Sequence, residues 1–287
     1  MNEERLRSFV ERMRERVAGQ PFAIAKIKDS LSTAAASPAR PMATLLFVGA
    51  AGLGKRTTAK AMADVLFGDE SACERVTGSG SLESEIVKTL AARAGVALFR
   101  YICDVSNEPE RATLTALLKR FKENVPYLDK AGRPANLGNS IFTVTINADL
   151  PADLFSSENK EADESLRFWL QKNFKEFSPD FFQSFDAIVP FRRFNVAAKT
   201  RLAEMQISKM VKQQTAEGRT LSVDNSVAAF VGSRAKDELG ALDVQRALDQ
   251  YVGNPFNQAV LQNESDGKKL QSARIHVVGD IIRISPQ

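Results

Sequence analysis

The feature that most constrains this chain is a short apolar run, Ala43-Thr-Leu-Leu-Phe-Val48, that passes directly into Gly49-Ala-Ala-Gly-Leu-Gly-Lys55 and then into a helical pattern. An unbroken apolar run of this length suits a strand covered on both faces, as in a parallel sheet. The glycines let the backbone turn back closely, so that several N–H groups and the start of the next helix face one point. The lysine adds a positive charge there. Gly, four residues and then Gly-Lys between a strand and a helix is the phosphate-loop pattern, and the flanks make it a strong match. The pattern next calls for a Ser or Thr to hold magnesium, but this chain has Arg56. A guanidinium only donates hydrogen bonds and cannot ligate a cation. Thr57 comes one residue late, about 100° further round the helix.

Two more buried-strand candidates, Ala97 to Cys103 ending at Asp104 and Ser140 to Ile146 ending at Asn147, predict an α/β fold with a parallel sheet flanked by helices. Helices are expected over 2–17, where Leu6, Phe9, Val10, Met13 and Val17 share a face, over 21–33 and over 55–66. After Phe191 the strand signals thin out, which places a domain boundary between 194 and 195. Helices are then expected at 196–214, 225–233 and 241–261, and a hairpin at 273–284 turning at Gly279-Asp280. The second domain is read as small and mostly helical.

Composition narrows the chemistry. Two cysteines and one histidine in 287 residues leave too few soft ligands for a zinc cluster or a disulfide framework. The formal charge of +4 is spread along the chain, and the basic pairs Arg192-Arg193 and Lys268-Lys269 are read as solvated surface, so nucleic acid is not an expected partner. No apolar run approaches the roughly 20 residues that span a bilayer, and the mixed-charge start lacks a signal segment; a cytoplasmic protein without membrane partners is expected. The phenylalanines of 177–191 are read as core, Phe168 and Trp169 as packing locally, Cys103 as a small core residue, and His276 as having no role.

The chain resembles the Clp-type AAA+ chaperones, most closely the C-terminal ATPase module of the disaggregases. The resemblance rests on Arg16-Val-Ala-Gly-Gln20, on Arg40 to Gly49 leading into the loop, on Ala131-Gly-Arg-Pro134, on Phe177-Ser-Pro-Asp-Phe-Phe-Gln-Ser-Phe-Asp186 and on Gly240-Ala-Leu-Asp-Val-Gln-Arg246. It implies an AAA+ large domain, 1–194, and a small lid domain, 195–287, that bind ATP or ADP between them within a ring. Val17 and Ala18 would line the adenine side. Gly49, Ala50, Ala51, Gly52, Leu53, Gly54, Lys55, Arg56 and Thr57 would surround the phosphates, with Asp104 as metal partner and Asn147 as the sensor of the outer phosphate.

Four positions depart from the family. Arg56 replaces the ion-binding hydroxyl, Val105 the water-activating glutamate after Asp104, Ser184 the finger arginine, and Leu242 the nucleotide-facing arginine of the small domain. Valine neither accepts a proton nor orients water, and a lost finger alone costs about 10³ to 10⁵ in rate. No aromatic residue lies between Phe67 and Phe99 to grip a threaded chain, and no Ile-Gly-Phe or Ile-Gly-Leu tripeptide is present to dock a protease ring. The resulting expectation is a nucleotide-binding module with magnesium weak or absent and hydrolysis lost, a structural or regulatory subunit that oligomerises with itself or with an active AAA+ partner. An active ATPase whose catalytic groups come from a partner, or from Arg192 and Arg193, is the alternative. A third is a scaffold with an empty site.

Overall fold

The computed structural model describes residues 3–33, 40–76, 95–100, 108–128, 132, 134–155, 160–267 and 270–286. They fall into two compact units, one drawn from residues 1–50 and 54–192, the other from 51–53 and 193–287.

The first unit opens with helices α1 (Glu3–Arg7), α2 (Phe9–Arg16) and α3 (Pro21–Thr33). The single entry helix expected over 2–17 is interrupted at Ser8, whose hydroxyl donates to the Glu4 carbonyl. Strand β1 (Ala43–Gly49) is buried at every position, as its apolar run requires. Helix α4 (Lys55–Phe67) follows the loop. Then come β2 (Cys73–Val76), β3 (Gly95–Arg100), α5 (Glu108–Lys122), β4 (Ser140–Asn147), α6 (Lys160–Asn173), α7 (Pro179–Gln183) and β5 (Ala187–Pro190).

The sheet runs in the order β2-β3-β4-β1-β5, and every neighbouring pair is parallel. Alternate residues of the central strands serve opposite faces. Leu46, Val48, Phe142, Val144 and Ile146 share one core with Leu114, Leu117, Leu118 and Phe121 of α5, Leu166 and Leu170 of α6, and Phe177, Phe181, Phe182 and Phe185. The phenylalanine-rich stretch is therefore core, with Phe177 and Phe181 stacked at 4.1 Å. Trp169 packs against this core, whereas Phe168 is 69% exposed and does not. On its helix Phe168 lies about 100° from Trp169, beyond the apolar stripe. The Asp186 carboxylate fixes the register of β5 by accepting from the Thr44 amide at 2.8 Å and the Thr44 hydroxyl at 2.9 Å.

The second unit holds α8 (Val196–Ala216), β6 (Thr220–Val223), α9 (Asn225–Arg234), α10 (Ala241–Leu248), α11 (Asn254–Ser265), β7 (Ser272–Val278) and β8 (Ile281–Pro286). The expected hairpin is β7-β8, turning at Gly279-Asp280, and β6 adds to it in parallel with β7. The helix expected over 241–261 is divided by a π-helical turn, Asp249–Gly253, in which the Asn254 amide reaches the Asp249 carbonyl. Pro255 supplies the reason: it has no N–H for the Tyr251 carbonyl, and its ring crowds that carbonyl. A separate core of Ala203, Val227, Val231, Val244, Val252, Phe256, Ala273 and Ile275 holds this unit together.

Candidate nucleotide site

The loop leaves β1 at the carboxyl end of the sheet. Gly49 is the register partner of Asn147 on β4, so the two residues end adjacent strands side by side. The Gly49 carbonyl accepts from the Ala148 amide at 3.2 Å and from Lys55 Nζ at 2.5 Å. Lys55, 8% exposed, donates also to the Ala50 carbonyl at 2.7 Å. Its ammonium is thus held over the loop by the loop's own carbonyls.

Gly54 is the N-cap of α4 with φ 89°, a left-handed conformation that side chains resist, and an added Cβ there would meet nothing within 4 Å. Amides at the helix N-terminus and the Lys55 charge suit phosphate oxygens, so the loop fits the phosphate part of a nucleotide.

Magnesium fits less well. Arg56 and Thr57 are both exposed on the first turn of α4. Thr58 is buried, and its hydroxyl donates to the Gly54 carbonyl at 2.9 Å. Position 56, where a hydroxyl is wanted, carries only donors. Among the described residues no cluster of three His, Cys, Asp or Glu side chains is placed to hold a metal. Asp104, the expected metal partner, lies outside the described residues, as do Val105, Cys103, Lys268 and Lys269 and the stretch 77–94.

Val17 and Ala18, the expected adenine-side residues, are buried just after α2. They connect to the loop through a residue that motif reading passed over. Gln20, 2% exposed, donates from Nε2 to the Arg192 carbonyl at 2.8 Å and accepts from the Arg192 amide at 3.1 Å. Its neighbour Phe191 donates to the Val48 carbonyl at 2.7 Å, and a Cβ on Gly49 would come within 2.7 Å of the Phe191 carbonyl oxygen. The chain from Gln20 through Arg192 and Phe191 to Gly49 therefore holds the 17–20 segment beside the loop. The only signal in the sequence was Gln20 within the quoted motif, since its partner lies 172 residues away.

Ser184 is buried, and its hydroxyl donates to the Asp180 carbonyl at 2.6 Å, closing the end of α7. Leu242 is exposed on α10. Arg192 is not simply solvated: its guanidinium lies 4.6 Å from the Phe22 ring. Arg193 is exposed and donates to the Asp237 carbonyl at 2.6 Å.

No protein-family model matches the chain. Among curated proteins it is 29% identical over 288 residues to the chaperone protein ClpB of Chlamydia caviae, covering 91% of this chain and 33% of that protein. ClpB of Chlamydia muridarum is 28% identical over 306 residues, covering 97% of this chain and 35% of the relative. ClpB of Malacoplasma penetrans is 25% identical over 282 residues, covering 91% and 39%. The chain is related to the Clp-type AAA+ chaperones. Its parallel α/β sheet, phosphate loop and C-terminal unit of helices with a closing hairpin make an AAA+ fold. It spans about a third of the length of these ClpB relatives. No helix among the described residues is long and apolar enough to cross a membrane.

Proposed function

We propose that this chain is a Clp-like AAA+ module that binds ATP or ADP and has lost hydrolysis, acting as a structural or regulatory subunit of a cytoplasmic protein complex. The observation that carries the reading is the pairing of a phosphate-loop sequence between β1 and α4 with an arginine at the position of the ion-binding hydroxyl. Lys55, the left-handed Gly54 and the start of α4 favour phosphate. Arg56 meets the same charge with a second cation, which lowers the need for magnesium while removing a ligand for it. Val105 after Asp104, and Ser184 and Leu242 where the family has arginines, withdraw water activation and stabilisation of the transferring phosphoryl group. Val17 and Ala18 border the adenine, and Asn147 faces the outer phosphate. In this reading the chain has two domains, 1–194 and 195–287, and the partner is a second copy or an active AAA+ subunit.

Titration of labelled ATP and ADP, with magnesium and with a chelator, tests the proposal. Saturable binding that changes little on chelation, and that falls at least tenfold in Lys55→Ala, is expected. A wild type that binds neither nucleotide ends this reading and leaves a scaffold with an empty site. The name chaperone carried by the ClpB relatives favours one alternative, an active remodelling ATPase with catalytic groups lent by a partner. Brisk phosphate release by the wild type would select that alternative.

A further inference from the structure

In the C-terminal unit the small sheet runs β6-β7-β8, so β6 and β8 are its edges, and no described strand pairs with the outer side of either. The two edges differ in sequence. β8 carries Arg283 and ends in Pro286, a charge and a missing donor of the kind that discourage a further strand. β6, Thr220-Leu-Ser-Val223, carries neither. The Thr220 amide donates to the Gln271 carbonyl at 2.8 Å and the Asp224 amide to the Ile275 carbonyl at 3.0 Å, so alternate residues of β6 turn their backbone groups toward β7. Leu221 and Val223, in between, turn their N–H and C=O groups to the outer edge.

The same two residues line a cleft of about 430 Å³ against α8. Its α8 wall is the stripe Glu204, Ile207, Ser208, Val211 and Lys212, which runs for about 12 Å at the helical rise. An extended segment of about four residues spans a similar length, roughly 13 Å. Ile207 and Leu221 are buried and make an apolar floor with Val211 and Val223. Charge at the rim is more selective. Glu204 accepts from Arg201 at 2.8 Å, and the Asp224 carboxylate accepts from Arg274 at 3.1 and 3.0 Å, so both acids are already matched. Lys212 is exposed and forms no ion pair with a described residue. Of the stripe it is the residue nearest the turn at 217–219 that leads from α8 into β6, and it marks the end of the cleft at which β6 begins.

We propose that β6 is a docking edge for an extended segment of a partner protein. The segment adds as a further strand beside β6, exchanges hydrogen bonds with Leu221 and Val223, sets alternate apolar side chains into the cleft and places an acidic residue at Lys212. Backbone pairing supplies the affinity, and the cleft with its lysine supplies the sequence preference. Neither the edge nor the cleft uses a residue of the phosphate loop, so this docking function is separate from nucleotide binding.

Fluorescence anisotropy on the full chain tests it with a labelled Thr-Val-Thr-Val-Thr-Val-Asp-Asp peptide, the same peptide ending in Lys-Lys, and two copies of the acidic peptide N-methylated at the valines or at the threonines. The acidic peptide is expected to bind saturably and more tightly than the basic one. Only alternate amides of an added strand face β6, so one methylated copy should lose about tenfold or more in affinity and the other little. Lys212→Glu lies on the exposed face of α8 and should keep the wild-type thermal midpoint. It should weaken the acidic peptide about fivefold or more and strengthen the basic one. No binding of the acidic peptide to the wild type overturns the proposal, as does binding that neither methylation weakens or that Lys212→Glu leaves unchanged. Dimerisation of the chain without peptide binding assigns the edge to a second copy and overturns it as well.

Discussion

Adjacent side chains at the start of α4 have opposite consequences for a bound triphosphate. Lys55 is drawn in against the loop carbonyls, where a phosphate oxygen would compete for the same ammonium, whereas Arg56 points out from the first turn with five donors and no lone pair for a metal. Nearby, Cys73 at the start of β2 shows a different influence of burial. Desolvation pushes its thiol up from an ordinary 9.0 to about 11, against the opposing pull of Lys60 and Arg56. The folded chain therefore holds this proton more tightly than the unfolded chain. The stability linked to the protonated thiol is present below the unfolded value and is lost as pH rises from about 9 toward 11. Urea midpoints measured from pH 8 to pH 11 should fall over that window in wild type and fall less in Cys73→Ala. Peptide mapping after alkylation at pH 8 should find Cys73 largely unmodified until the protein unfolds.

Secondary-structure elements were legible where local physics alone decides them. The strands β1 and β4 are buried on both faces and read as apolar runs, and α3 has a proline at its first position. The strands that escaped, β2, β5 and β6, are four residues each and sit at sheet edges, where pairing with a neighbour rather than their own pattern makes them strands. The same division runs through the site. The phosphate loop is a local spacing and was readable, but Gln20 clamping Arg192 is a contact across a long stretch of chain that no spacing encodes. Helix packing shows how narrow such contacts are. Where α9 crosses α8, a Cβ on Gly232 would stand 2.7 Å from both the Thr200 amide nitrogen and its hydroxyl oxygen. Gly232→Ala should therefore destabilise the protein by about 1–3 kcal/mol despite its better helix propensity, read as a lower urea midpoint with unchanged slope.

At the scale of the whole molecule, each unit has a core of its own. One core, built on the sheet, presents Lys55 and Asn147 at the carboxyl edge of the strands. The other is built on α8 to α11. On the proposed reading, a bound nucleotide stabilises the state that holds it by mass action and has no outlet through chemistry, so its occupancy acts as a structural signal. The most direct measurement follows the fate of the nucleotide. Purified wild type and Lys55→Ala are incubated with ATP and magnesium, and bound nucleotide and released phosphate are quantified in the same samples. Bound, intact ATP on the wild type only, with phosphate release at background in both, is the predicted result. Sustained phosphate release by the wild type that Lys55→Ala abolishes would contradict it.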